Sequence, residues 1–118
     1  MGNSNFVNAI TEIEYGIKGV RIMKELSLVA IVKAKPEQKA FVKEEIMKLI
    51  PITRNEKGCI HYHLYQDNKD DSRFILEENW ASYEEWQAHM HNDHMENYSK
   101  VTKDAVESWE LNELTKVD

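Results

Sequence analysis

The alternation of apolar and polar positions divides the chain into segments of different period. Leu26 to Ala34, LSLVAIVKA, is a nearly continuous apolar run of strand length; a strand covered on both faces, and so central in its sheet, has this pattern. Pro36 suits the first turn of a helix, and Val42, Ile46, Leu49 and Ile50 then form one stripe with charged residues elsewhere. Pro51 falls where that helix would continue towards Asn55, so a kink or a break is expected there. Gly58 ends the segment.

Cys59 to Asp67, CIHYHLYQD, is rich in branched and aromatic residues, and a polar loop from Asn68 to Ser72 leads into Arg73 to Trp80, RFILEENW. Together they predict an antiparallel hairpin. Ser82 followed by Glu85 is a capping box, opening a helix on which Tyr83, Trp86 and Met90 share a face. A turn is expected around His91-Asn92-Asp93, because Met95, Tyr98, Val101 or Thr102, and Ala105 begin a new stripe. Glu107 to Val117 supplies a last strand. The predicted order is β-α-β-β-α-β with the second helix broken: an α+β, ferredoxin-like arrangement with a four-stranded antiparallel sheet. Four strands with helices on one side leave the other sheet face open, yet the first and third strands carry apolar residues on both faces. A second copy of the same sheet is the expected cover, making a homodimer.

Residues 1–22 read differently from the rest. Phe6, Ile10, Ile13, Ile17 and Val20 recur at helical spacing after a candidate cap at Ser4, while Gly16 and Gly19 weaken the later half. Residues 1–22 are expected to form an N-terminal extension, either without a role or as an arm packing on the domain or on a partner, and residues 23–118 are expected to form one domain.

Composition narrows the function classes. A hydrophobic content of 42% argues against disorder, and no apolar run approaches the roughly 18 residues of a membrane span. The formal charge of −6 with no basic stripe disfavours nucleic acid and anionic lipid as partners. One cysteine, Cys59, excludes an internal disulfide, and the N-terminus lacks the pattern of a secretory signal. The expected compartment is the cytoplasm.

Glu56-Lys-Gly-Cys-Ile-His-Tyr62, then Phe74-Ile-Leu-Glu-Glu78-Asn-Trp80, then Trp86-Gln-Ala-His89 and His94 resemble the antibiotic biosynthesis monooxygenase domain family, which includes quinol monooxygenases. The resemblance covers residue 24 to about residue 116; the departures are Lys57 where proline is usual and Asn92-Asp93 before His94. It implies a dimeric α+β barrel built from two ferredoxin-like sheets. It also implies oxidation of a quinol or other small phenol by dioxygen without metal, haem or flavin. The haem-degrading branch is disfavoured, since strand one has no asparagine and His89 stands where that branch has a helical tryptophan.

Cofactor-free oxygenation needs the substrate as an anion in a water-poor pocket, because triplet dioxygen must receive an electron from it. Histidine suits the base, with a reference pKa of about 6.5. His89 lies three residues after Trp86 and is expected to face inward; His94, one turn before Tyr98, can approach the same interior. Both match the family's histidines and are the expected acid/base or orienting groups; the alternative for each is a structural histidine at a helix end. His91 is outside the motif and is expected at the surface.

Glu78 alternates with Phe74, Leu76 and Trp80 on one strand face, where a carboxylate needs a partner. His89 or His94 is the expected partner, with a structural ion pair as the alternative. Trp80, Trp86, Tyr62, Tyr83 and Tyr98 are expected to shape the substrate pocket, or else to fill core. His61 and His63 share the opposite face with Tyr65; such a pair can chelate zinc or iron with His91 or His94 as third ligand, although the family resemblance accounts for the chain without a metal. Cys59 has no base in view for nucleophilic work. Two other functions stay open: an isomerase of a small signalling metabolite on this scaffold, and a non-catalytic ligand-binding or stress-related dimer.

Overall fold

The computed structural model describes residues 24–118. The N-terminal extension, with its predicted helix from Ser4 to Val20, lies outside the described residues. Strand β1 (Leu26–Ala34) is followed by a single 3-10 turn (Pro36–Gln38) and helix α1 (Lys39–Arg54). Strands β2 (Cys59–Gln66) and β3 (Arg73–Trp80) form the predicted hairpin. Two short helices, α2 (Tyr83–Met90) and α3 (Asp93–Thr102), precede β4 (Val106–Leu114). The sheet order is β2-β3-β1-β4 and every pairing is antiparallel, which is the ferredoxin-like order with β1 and β3 in the centre.

The sequence periods account for how the layers meet. Along β1 the alternate residues Leu28, Ala30, Val32 and Ala34 are buried, as are Phe74, Leu76, Glu78 and Trp80 along β3. They pack with Tyr62 of β2 and with the α1 stripe Val42, Ile46 and Leu49. Each large aliphatic side chain removed from water in this layer contributes about 1.5–3 kcal/mol. The opposite face of the sheet carries Ser27, Val29, Ile31 and Lys33 from β1, and Arg73, Ile75, Glu77 and Asn79 from β3. The apolar part of that face is centred on β1, and β3 adds only Ile75.

Of the kink or break expected at Pro51, a break does not occur, since α1 runs on to Arg54. The missing N–H would have bonded the carbonyl of Met47, an exposed residue one turn back, where water can serve instead. The last strand is Val106–Leu114 rather than 107–117, since Leu114 already pairs with Ser27 near the start of β1.

The turn between α2 and α3 forms as predicted. Ser82 Oγ accepts from the Glu85 N–H at 3.2 Å, and Asn92 Oδ1 caps α3 by accepting from the Met95 N–H at 3.0 Å. Gly58, between α1 and β2, has φ +87°, a left-handed conformation that glycine adopts without a Cβ penalty. A Cβ there would lie 2.6 Å from Cβ of Glu85, so this turn and the start of α2 fit together only around a glycine. Glu56 sits in the same turn, and its carboxylate faces α2 and α3.

Candidate active site

Glu56 gathers the helix-turn region into one polar cluster. Its Oε1 lies 2.8 Å from His89 Nδ1, near the end of α2. Its Oε2 accepts from Asn92 Nδ2 at 2.5 Å and lies 2.5 Å from His94 Nε2 in the first turn of α3. The His94 contact is close but off the line that a hydrogen bond requires, so among the described residues Nε2 is buried with no hydrogen-bond partner of its own. The ligand atoms of Glu56, His89 and His94 all lie within 4.8 Å of one another, close enough for the three to hold a metal ion.

His89 is held from its other sides by aromatic rings. Trp80 lies against it with centroids 4.8 Å apart, and Tyr62 meets it edge-on at 5.6 Å. Only 2% of the residue is exposed. Because a carboxylate accepts, the Glu56 contact places the proton on Nδ1 and leaves the Nε2 lone pair on the far side of the ring. Burial pushes His89 below the usual imidazole pKa, an effect opposed by the hydrogen bond and charge of Glu56.

That far side borders a cavity of about 350 Å³ between the sheet and the helices. Its walls include Ala30, Tyr62, Leu76, Met90, Tyr98 and Leu111, and its polar lining divides by exposure. Glu78 and His89 are buried, whereas Lys103, Glu107 and Ser108 are exposed and mark the open side. Glu78 accepts from Trp80 Nε1 at 2.9 Å. Desolvation nevertheless raises its carboxyl to about 7, with the indole hydrogen bond opposing and the Glu56 charge adding. Burial likewise pushes the Tyr98 phenol up to about 12 and the Tyr62 phenol further still, so both are neutral donors at any physiological pH.

His89, Glu78, Tyr62 and Tyr98 thus come together on one cavity. Several expectations change. The carboxylate paired with His89 is Glu56, while Glu78 is paired with Trp80. Trp80 is fully buried behind His89, and Trp86 packs edge-on against Tyr83 at 5.3 Å; none of these three rings lines the cavity. His94 does not line it either and acts on Glu56 instead. His91 is exposed, as expected. His61 and His63 lie 5.6 Å apart on the open sheet face with Tyr65 and Glu77, and they line a separate groove away from His91 and His94, so the proposed third ligand does not reach them. Burial pushes the Cys59 thiol up, away from nucleophilic use.

Glu56 is the residue that sequence reasoning missed. It was visible as the first residue of the Glu-Lys-Gly-Cys motif, but its partners are 33 and more residues away and belong to a different element.

Residues 26–101 match the family described as antibiotic biosynthesis monooxygenase. The chain belongs to that family. Solved structures share its fold. PA3566 from Pseudomonas aeruginosa superposes with a TM-score of 0.78 at 24% identity, covering 82% of this chain and 99% of its own. A conserved protein from Methanosarcina mazei Go1 gives 0.73 at 25% identity, covering 80% and 95%. Rv0793 from Mycobacterium tuberculosis gives 0.75 at 21% identity, covering 80% and 97%. A comparison with curated proteins gives no match. Among the described residues no helix is long and apolar enough to cross a membrane.

Proposed function

We propose that this member of the antibiotic biosynthesis monooxygenase family is a cofactor-independent monooxygenase that oxidises a small quinol or other phenol with dioxygen. The observation that carries the reading is the orientation of His89. Glu56 fixes its Nδ1–H, so a neutral imidazole presents the Nε2 lone pair to a largely apolar cavity. The cavity volume suits a one- or two-ring aromatic compound.

The chemistry balances without an external reductant. His89 Nε2 takes the phenolic proton, and the phenolate passes one electron to dioxygen. Aryloxyl radical and superoxide then combine at a ring carbon. The imidazolium returns its proton to the peroxide. Loss of the ring C–H proton with cleavage of the O–O bond gives a quinone and hydroxide; the neutral Glu78 carboxyl protonates the hydroxide to water and is restored by the C–H proton. One phenol and one dioxygen give one quinone and one water. Glu56 and, through it, His94 are positioning residues, while Tyr62 and Tyr98 offer hydroxyl donors to the substrate oxygens.

The reading includes a homodimer in which a second sheet covers Val29, Ile31 and Ile75. The isomerase alternative is less well supported, because Lys103 is the only lysine or arginine among the described cavity residues and it shares the open side with Glu107. The experiment is incubation of a reduced naphthoquinone with the protein under ¹⁸O-labelled dioxygen. One labelled oxygen in the quinone product is expected; a product with no label would rule out monooxygenation of that class.

A further inference from the structure

His89 lies between two concave surfaces. One is the cavity just described; the other is an outer groove whose lining includes Glu56, Lys57, Glu84, Glu85, Asn92 and the same His89. The groove side of the ring carries Nδ1, the atom that meets Glu56. Three acidic residues against one lysine give this groove a negative balance that attracts cations. The other oxygen of Glu56, which accepts from Asn92, also lies against His94, whose Nε2 is buried without a hydrogen bond among the described residues.

From this arrangement we propose that Glu56, His89 and His94 form a binding site for a divalent first-row transition ion, zinc being the probe, on the outer side of the His89 ring. Two imidazole nitrogens and one carboxylate are a donor set that such ions favour over calcium or magnesium. Ligands at about 2.0–2.1 Å from one ion are about 3.4 Å apart in tetrahedral geometry. The atoms here lie within 4.8 Å, so shifts of about an ångström bring all three to one ion. Two of the three side chains need little ordering. His89 is clamped by Trp80 and Tyr62, and Glu56 is held by Asn92, which supplies the outer hydrogen bond that orients a ligating carboxylate.

The ion acts on the cavity through the imidazole tautomer, a consequence that rests on the function proposed above. With Glu56 as acceptor, the proton is on Nδ1 and Nε2 faces the cavity as a base. An ion on Nδ1 replaces that proton, which leaves to solvent while Nε2 takes one up. The ring stays neutral but becomes a donor towards the cavity. The site is therefore an inhibitory one, in which metal converts the base into a hydrogen-bond donor.

Zinc is titrated into the full chain in competition with a chromogenic chelator, without any substrate. One equivalent bound per chain is expected, with affinity falling at least tenfold in Glu56→Gln and in His94→Ala. Affinity is expected to be unchanged in the His61→Ala/His63→Ala double variant. In parallel, ¹⁵N spectra of the imidazoles report the ligands directly, so a variant that fails to fold does not decide the matter. Zinc should shift His89 Nδ1 and His94 Nε2 while leaving His61 and His63 in place. Absence of binding, or binding that survives in His94→Ala and disappears with His61 and His63, overturns the site. Binding with unchanged oxidation rates overturns the tautomer switch alone and leaves the oxygenase reading standing.

Discussion

Glu56 Oε1 lies 2.8 Å from Nδ1 of His89, so a loop carboxylate fixes which ring nitrogen of a buried histidine carries the proton. The same carboxylate accepts from Asn92, tying the turn after α1 to the junction of α2 and α3. Glu56→Gln should therefore cost stability as well as orientation. Hydrogen bonds to charged groups contribute about 1.5–3 kcal/mol, and the expected loss lies in that range. Urea unfolding measures it; an unchanged midpoint would show that the cluster holds nothing together.

Glu78 has the opposite effect on stability. Its carboxyl titrates near 7 in the folded chain against 4.5 in the unfolded one. Between those values the unfolded chain has released a proton that the folded chain keeps, so stability falls as pH rises through the window and levels off above about 7. Glu78→Gln removes the penalty while still accepting from Trp80. The variant should match the parent near pH 4.5 and exceed it by about 2–3 kcal/mol at pH 8. Denaturant midpoints at the two pH values test this, and a gain of equal size at both would contradict it. Its oxidation rate should drop at least about a hundredfold, the usual scale for loss of a positioned acid.

Gly58→Ala should destabilise the chain by about 1–2 kcal/mol from the left-handed backbone alone, and by more because the added Cβ meets Glu85. Thermal unfolding reads the effect. A neutral result would mean that the turn relaxes without cost, and Glu56 with it.

How much of this was legible in the sequence follows from how local each signal is. The Ser82–Glu85 cap, the turn around Asn92, the two faces of β1 and the β2–β3 hairpin depend on neighbours within a few residues or on a period of two, and these were readable. The inward turn of His89 followed from its spacing to Trp86. The partner of His89 did not, because alternation on β3 identifies Glu78 as an inward carboxylate but not the depth of each group. Trp80, at the end of that strand, is covered by α2 and became core behind His89, whereas Tyr62 and Tyr98 reach the cavity. Which aromatic ring is wall and which is core is a property of helix placement, and no period encodes it.

Ala30 lines the cavity from the centre of β1. Ala30→Leu places new methyl groups in that space rather than in packed core, so stability should change by less than about 1.5 kcal/mol. Affinity for a naphthol, followed by fluorescence titration, should fall at least tenfold. Undiminished binding would move the ligand to another surface.

The open sheet face yields a prediction about assembly. Ile31→Asp puts a charge in the middle of the face assigned to the partner copy. Light scattering should give twice the chain mass for the parent and the single-chain mass for the variant, and a monomeric parent would remove the dimer from the account.

The most direct measurement is oxygen consumption with a reduced naphthoquinone, parent against His89→Ala, each with its fold verified by circular dichroism. The parent should consume one dioxygen per quinol, undiminished by chelator, and His89→Ala should consume it at a rate close to that of buffer. Consumption that is equal in the two proteins would contradict the proposed role of His89.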